Sequence, residues 1–171
     1  GWNVVIASSD KDFMQLVSSA IGLLNPNDKT GAVWTAEQVT AKTGVSPEQV
    51  ADWLALMGDA VDNIPGVPGI GPKTAAELLK QFGSVEAILG RLDEVKSEKL
   101  RAALREHAAA VRRNQELVRL LEVTCDFSPE RLGLRPADGG ALRELFGGWG
   151  FKGMLATLAT ADVTEKQAEL I

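Results

Sequence analysis

Four aspartates in two close pairs, Asp10 with Asp12 and Asp59 with Asp62, carry the chemistry this sequence offers. Brought together without cations they would repel, since two unit charges about 4 Å apart cost ~4 kcal/mol at an effective dielectric of 20. Divalent ions remove that cost. Mg²⁺ takes hard oxygen ligands, keeps several waters and is held by one or two carboxylates per ion. Two such ions about 3.5–4 Å apart activate a water and stabilise the leaving oxygen in phosphodiester cleavage. No Cys, His or Ser stands in a context that suggests a nucleophile.

The second pair opens the stretch Gly58–Gly83, GDAVDNIPGVPGIGPKTAAELLKQFG. Gly66, Gly69 and Gly71 alternate with Val67, Pro68 and Ile70, and glycines at that density leave backbone N–H groups uncovered. Pro72 stands at the first helical position with Gly71 as the N-cap. The bare amides and the positive helix end point the same way, and Lys73 and Thr74 follow directly. A glycine-capped helix with nothing bound is the plain alternative. The longer pattern favours a backbone grip of the helix-hairpin-helix kind, in which amides hold phosphates without reading bases.

The elements that must position these groups follow from local signals. Trp2–Ala7 is a β-branched run without polar alternation, which predicts a strand buried on both faces of a parallel sheet. Asp10 and Asp12 then lie at the carboxyl end of that strand and the entry to a helix, where open α/β sheets place ligands. Ser9 or Asp10 as a simple helix cap is an equal reading. Ile21–Leu24 predicts a second strand. Thr35 caps a helix that ends at Gly44, and Ser46-Pro47-Glu48 opens the next, with Val50, Trp53, Leu54 and Met57 on one apolar stripe. Ser84 caps a short helix. The longest helix is expected over Glu98–Leu121, with Leu100, Leu104, Val111, Val118 and Leu121 buried and His107 packed at the stripe's edge. Arg101, Arg105 and Arg112 share another face, with Arg113 beside it; this reads as a solvated face or an extension of the phosphate grip. Glu122–Phe127 predicts a strand returning to the sheet. Ser128–Gly140 reads as loop, and Ala141–Phe146 and Lys152–Leu158 as short helices around Gly147-Gly148-Trp149-Gly150. Residues after Ala161 carry no packing pattern.

With 171 residues, 45% hydrophobic and 24% charged, the chain is long enough for a real core and ordinary in composition. Its longest apolar runs are too short to span a membrane. A single cysteine, Cys125, forms no internal disulfide and fits a reducing cytoplasm. The net charge of −5 runs against nucleic-acid binding unless acids gather at a metal site while basic patches lie elsewhere. The chain opens on Gly1 almost directly into a strand, which hints at a missing beginning.

The sequence resembles the 5′–3′ exonuclease domain of bacterial DNA polymerase I and the related stand-alone flap endonucleases. The residues that carry the likeness are Ser9-Asp10-Lys11-Asp12 with Gln15-Leu16, Ala55-Leu56-Met57-Gly58-Asp59, and Asp62 through Gly71 with Lys73-Thr74-Ala75, in matching order and spacing. The resemblance implies an α/β, mostly helical fold: a partial PIN-like nuclease core with a few-stranded sheet over 1–45, and a helix–three-turn–helix DNA-binding region over 46–119. A return strand and closing helices over 120–160 and a tail over 161–171 complete the division. It implies Mg²⁺ or Mn²⁺ at Asp10, Asp12, Asp59 and Asp62, and K⁺ at the backbone carbonyls of Val67 and Ile70. DNA with a 5′ flap or 5′ end is the implied substrate, gripped at Gly66, Gly69, Gly71, Lys73 and Thr74, and the bacterial nucleoid the implied location.

In the family the first half of the domain supplies further acids, a basic arch and the first strands. Only nine residues precede Asp10. The first metal site is therefore expected to be incomplete, with little cleavage by this chain alone. The Val4–Ala7 strand is expected to lack neighbours and to leave apolar surface for a missing amino-terminal half or a second copy. A non-catalytic DNA-backbone clamp, or one subunit of a split nuclease, is the competing reading.

Overall fold

The computed structural model describes residues 1–124, 128, 133 and 137–159, which fall into two units divided after Glu122. In the first unit, β1 (Val4–Ala7) runs parallel to β2 (Ile21–Leu24) with Val4 opposite Ile21, and β3 (Val33–Trp34) pairs antiparallel to β2. The order β1-β2-β3 makes β1 an edge. Val4 and Val5 are 46% and 54% exposed, so β1 is a strand but not the doubly buried one its composition suggested. Burial needs a neighbour on each side and sheet faces covered; β1 has one neighbour.

The helices begin where their caps dictate. α1 (Ala36–Thr43) opens on Thr35, whose amide donates to Gln38 Oε1 at 2.6 Å, and ends at Gly44 with φ +83°. A 3₁₀ turn over Pro47–Gln49 leads into α2 (Val50–Met57), and α3 (Pro72–Phe82) starts on its proline after Gly71. Ser84 Oγ accepts from the Ala87 amide to cap α4 (Val85–Gly90).

α2 is the centre of the core. Six of its eight residues are buried, and it packs most closely on α6 (Ala108–Val118) and α3. Leu54, Leu56, Leu79, Ile88, Val111 and Val118 are sealed together there with Val39 from α1. Each such side chain contributes about 1.5–3 kcal/mol relative to exposure. Trp53 is core as expected, its indole N–H donating to the Pro72 carbonyl at 2.9 Å.

The expected long helix is two. α5 (Glu98–Glu106) ends at His107, and α6 restarts at Ala108. His107 has φ −98° and ψ 9°; its amide donates to the Ala103 carbonyl, and its ring Nδ1 lies 3.0 Å from the same oxygen. The ring folds back on the last turn of α5, and His107 is half-buried at the junction of the two helices. The apolar stripe crosses the break, since Leu104 and Val111 are both fully buried. Helix ends at Val118, so Leu121 is 77% exposed and not part of the stripe. Residues 122–124 form no strand; the rest of that expected strand, 125–127 with Cys125, lies outside the described residues.

In the second unit, α7 (Gly139–Gly148) is capped by Asp138, whose Oδ1 accepts from the Ala141 amide at 2.9 Å. It is longer at both ends than its apolar residues alone predict, because the cap precedes two glycines and Gly147-Gly148 continue the last turn. A further helix, α8, covers 152–159. Trp149 meets Phe151 edge-on at 5.6 Å. Residues 160–171, where the tail was expected, lie outside the described residues. Among the described residues no helix is long and apolar enough to cross a membrane.

Candidate metal centre and nucleic-acid interface

The first aspartate pair sits just past the carboxyl end of β1. The Asp10 amide donates to Ser8 Oγ at 3.1 Å, and Asp10 Oδ1 accepts from the Asp12 amide at 3.0 Å. Asp10 thus caps the 3₁₀ turn Lys11–Leu16, and Asp12 is the acid of its first turn. The cap reading holds for Asp10, and the same short segment carries both aspartates.

The second pair rides on a tight hairpin. α2 stops at Gly58, φ +80°, and β4 (Gly58–Asp59) pairs antiparallel with β5 (Ile64–Pro65). The base of this hairpin is two backbones in contact. A Cβ on Gly66 would collide with the Met57 carbonyl and stand 2.7 Å from the Gly58 nitrogen. Gly66, read from sequence as a DNA contact, is therefore required first for this closure. Across the same base the Val67 amide donates to the Leu56 carbonyl at 2.9 Å.

Carboxylate oxygens of Asp12, Asp59 and Asp62 come within 4.8 Å of one another. Asp10 stands outside that tight group but lines the same cleft, about 320 Å³, with Ser8, Ser9, Lys11, Asp59, Val61 and Asp62. Two features suit a hard divalent cation. Asp12 Oδ1 is buried and has no hydrogen-bond partner among the described residues. Burial, then the charges of Asp10, Asp59 and Asp62, push the Asp12 carboxyl up to about 6 against a smaller pull from Lys11. Asp59 behaves oppositely. Burial raises it, but hydrogen bonds from Lys11 and the Val61 amide, the Lys11 charge and the Asp62 amide outweigh burial and hold it below the usual range. Lys11 Nζ lies 2.6 Å from Asp59 Oδ1. Sequence reading named Lys11 only within the family likeness and gave it no role, although a cation between two acids of a candidate site was the signal.

The cradle lies on the same unit. Val67 and Ile70 are buried anchors, and the Ile70 amide donates to the Val67 carbonyl at 3.0 Å. Gly69, φ +85°, closes this turn as the third of its four residues, after Pro68. Nothing lies within 4 Å of a Cβ placed on Gly69 or Gly71. Lys73 is exposed and Thr74 half-buried on the first turn of α3. A groove of about 280 Å³ runs from Pro68, Gly69 and Thr74 to Ser97, Lys99 and Leu100. The start of α5, capped by Ser97 Oγ to the Leu100 amide, thus borders the turn and adds Lys99, which sequence reading did not single out. The arginine stripe is engaged locally: Arg112 grips Glu86 through two bonds of 2.8 and 2.9 Å, Arg105 reaches Asp93 at 3.8 Å, and Arg101 donates to the Val95 carbonyl.

The unit is mostly helical, with a small sheet, an acidic cleft and an exposed glycine turn, and sequence comparison gives its family. Residues 45–139 match the family described as 5'-3' exonuclease, C-terminal SAM fold, and the chain belongs to it. The DNA polymerase I of Rhizobium leguminosarum is 39% identical over 171 residues, covering 99% of this chain and 16% of that protein. The 5'-3' exonuclease of Aquifex aeolicus is 40% identical over 146 residues, covering 84% of this chain and 48% of that protein. The chain spans less than half the length of either relative. The bacteriophage T5 flap endonuclease, solved as a pseudo-enzyme–product complex with DNA and metal ions, superposes with a TM-score of 0.62 at 27% identity over 68% of this chain and 42% of that one. The expected fold, a partial PIN-like nuclease core, stands.

Proposed function

We propose that this chain is part of a metal-dependent nuclease that hydrolyses DNA phosphodiester bonds at 5′ ends and 5′ flaps. The meeting of Asp12, Asp59 and Asp62, from segments far apart in sequence, is the observation that carries this reading. A separate DNA clamp would gain nothing from holding three carboxylates together against their repulsion. Mg²⁺ or Mn²⁺ bound there would supply positive charge for the developing oxyanion and acidify a water. Asp12 and Asp62 would supply oxygens to such an ion, Asp59 would add a carboxylate kept ionised, and Asp10 would add charge to the cleft wall. The open amides at Gly69 and Gly71, with Lys73 and Thr74, seat a phosphate of the strand. K⁺ at the Val67 and Ile70 carbonyls would extend that seat.

Calorimetry with Mn²⁺ tests the metal reading: the wild-type chain takes up the ion, and Asp10→Asn with Asp59→Asn does not. Equal uptake by both would remove Asp10 and Asp59 from the site. Binding of a 5′-flap duplex, measured at several salt concentrations, tests the cradle. Loss of metal uptake with retained DNA binding in the double variant separates a nuclease from a simple clamp.

A further inference from the structure

The two carboxylate-bearing segments are tied to one helix by two side-chain amides. Asn114 on α6 is 1% exposed, and its Nδ2 donates to the Ala55 carbonyl at 3.1 Å and the Pro65 carbonyl at 2.8 Å. Ala55 belongs to the last turn of α2, where carbonyls lack helical partners, and Pro65 closes the far side of the hairpin. One amide thus joins both flanks of the loop that bears Asp59 and Asp62. That loop has only a two-residue ladder of its own, too short to fix it. Four residues along α6, the Val118 carbonyl accepts from Gln15 Nε2 at 2.8 Å, and Gln15 Oε1 accepts from the Leu120 amide at 3.2 Å. Gln15 sits in the 3₁₀ turn that bears Asp12. Positions 114 and 118 fall on the same face of α6.

We propose that α6 sets the spacing of the carboxylates, with Asn114 the positioning residue for Asp59 and Asp62 and Gln15 the positioning residue for Asp12. Asn114 Nδ2 and both polar atoms of Gln15 are spent on backbone groups, not on the carboxylates. Each fixes the backbone that carries a ligand, and outer partners of this kind govern affinity because a ligand held in place loses no freedom on binding. The inference rests on the metal reading above, and its test separates the two.

Asn114→Ala and Gln15→Ala are made in the full chain, with Gln49→Ala as the control. Gln49 is a comparable amide strap, from Nε2 to the Leu79 and Gly83 carbonyls, which ties the start of α2 to the end of α3 and touches neither the 58–66 hairpin nor α6 through these bonds. Mn²⁺ affinity is measured by calorimetry well below each melting temperature. Amide hydrogen exchange over 58–66 is measured in the metal-free protein. The expected result is Mn²⁺ binding about tenfold weaker in both variants and nearly unchanged in the control, with faster exchange over 58–66 in Asn114→Ala alone. Unchanged affinity in both variants, or equal weakening in Gln49→Ala, overturns the proposal. Should Asn114→Ala fail to fold, Gln15→Ala decides by affinity alone. If the wild type takes up no Mn²⁺, the metal reading fails by itself. Exchange then judges the Asn114 clamp: faster over 58–66 supports it, and unchanged exchange overturns it.

Discussion

Lys11 Nζ and Asp59 Oδ1 stand 2.6 Å apart, the carboxylate side chain 1% exposed and the lysine side chain 31%. The ammonium is the resident counter-charge of the cleft. A divalent ion that binds Asp59 must share that carboxylate with Lys11 or displace it.

Lys11→Met should therefore separate stability from affinity. Removing one partner of a largely buried pair leaves Asp59 uncompensated, and the metal-free chain loses about 1–3 kcal/mol after allowance for the lysine's exposure. Mn²⁺ affinity at neutral pH rises, because no competing cation remains. Denaturation in chelator and calorimetry read the two effects; an affinity that falls would show that Lys11 supports the ion.

Asp12 gives a pH signature. Its carboxyl is pushed up to about 6 in the folded chain, first by burial and then by its acidic neighbours, whereas the unfolded chain releases that proton near the ordinary value. The folded state binds the extra proton between those values. The associated stability is full at low pH and is lost as pH rises through about 6. Asp12→Asn, uncharged throughout, should stabilise the metal-free protein at pH 7.5 and make little difference near pH 4. Urea denaturation in chelator at both pH values checks this, and an equal gain at the two would refute it.

The glycines of the central stretch should divide by role. Gly66→Ala forces a methyl into the Met57 carbonyl and should cost about 3 kcal/mol or more, with loss of metal uptake. Gly71→Ala meets no atom and has φ −100°, so the fold should barely change. If its amide contacts a phosphate, DNA binding by Gly71→Ala weakens while its melting temperature holds. The reverse pattern, a stable Gly66→Ala with impaired DNA binding, would reassign Gly66 to the cradle.

Lys73→Ala should weaken flap DNA binding uniformly across sequences and reduce the slope of log affinity against log salt by about one. An unchanged slope would place Lys73 off the strand.

Much of this was legible because its signals are local. Thr35 with Gln38 and Gly44, Gly71 with Pro72, and Ser84 each announce a helix end within a few residues, and all three helices begin there. The pairings were not legible. β3 and the β4–β5 ladder are two residues long and carry no alternation to read. The break at His107 leaves the apolar period intact, so Leu104 and Val111 predict one helix where there are two. Asn114 was within reach: a polar residue in phase with Val111 and Val118 on a buried stripe asks which groups it satisfies. The joining of Asp12 to Asp59 is a long-range contact, and only the family resemblance, not periodicity, pointed to it.

The break at His107 also bears on the order in which the molecule comes into being. Domains fold as the ribosome releases them, amino end first. A nascent chain that has emerged only as far as α5 already holds all four aspartates, the hairpin and the phosphate turn, yet lacks the helix to which both acidic segments are anchored. On the reading proposed above, ion capture would wait until residues 108–118 have emerged and docked against α2.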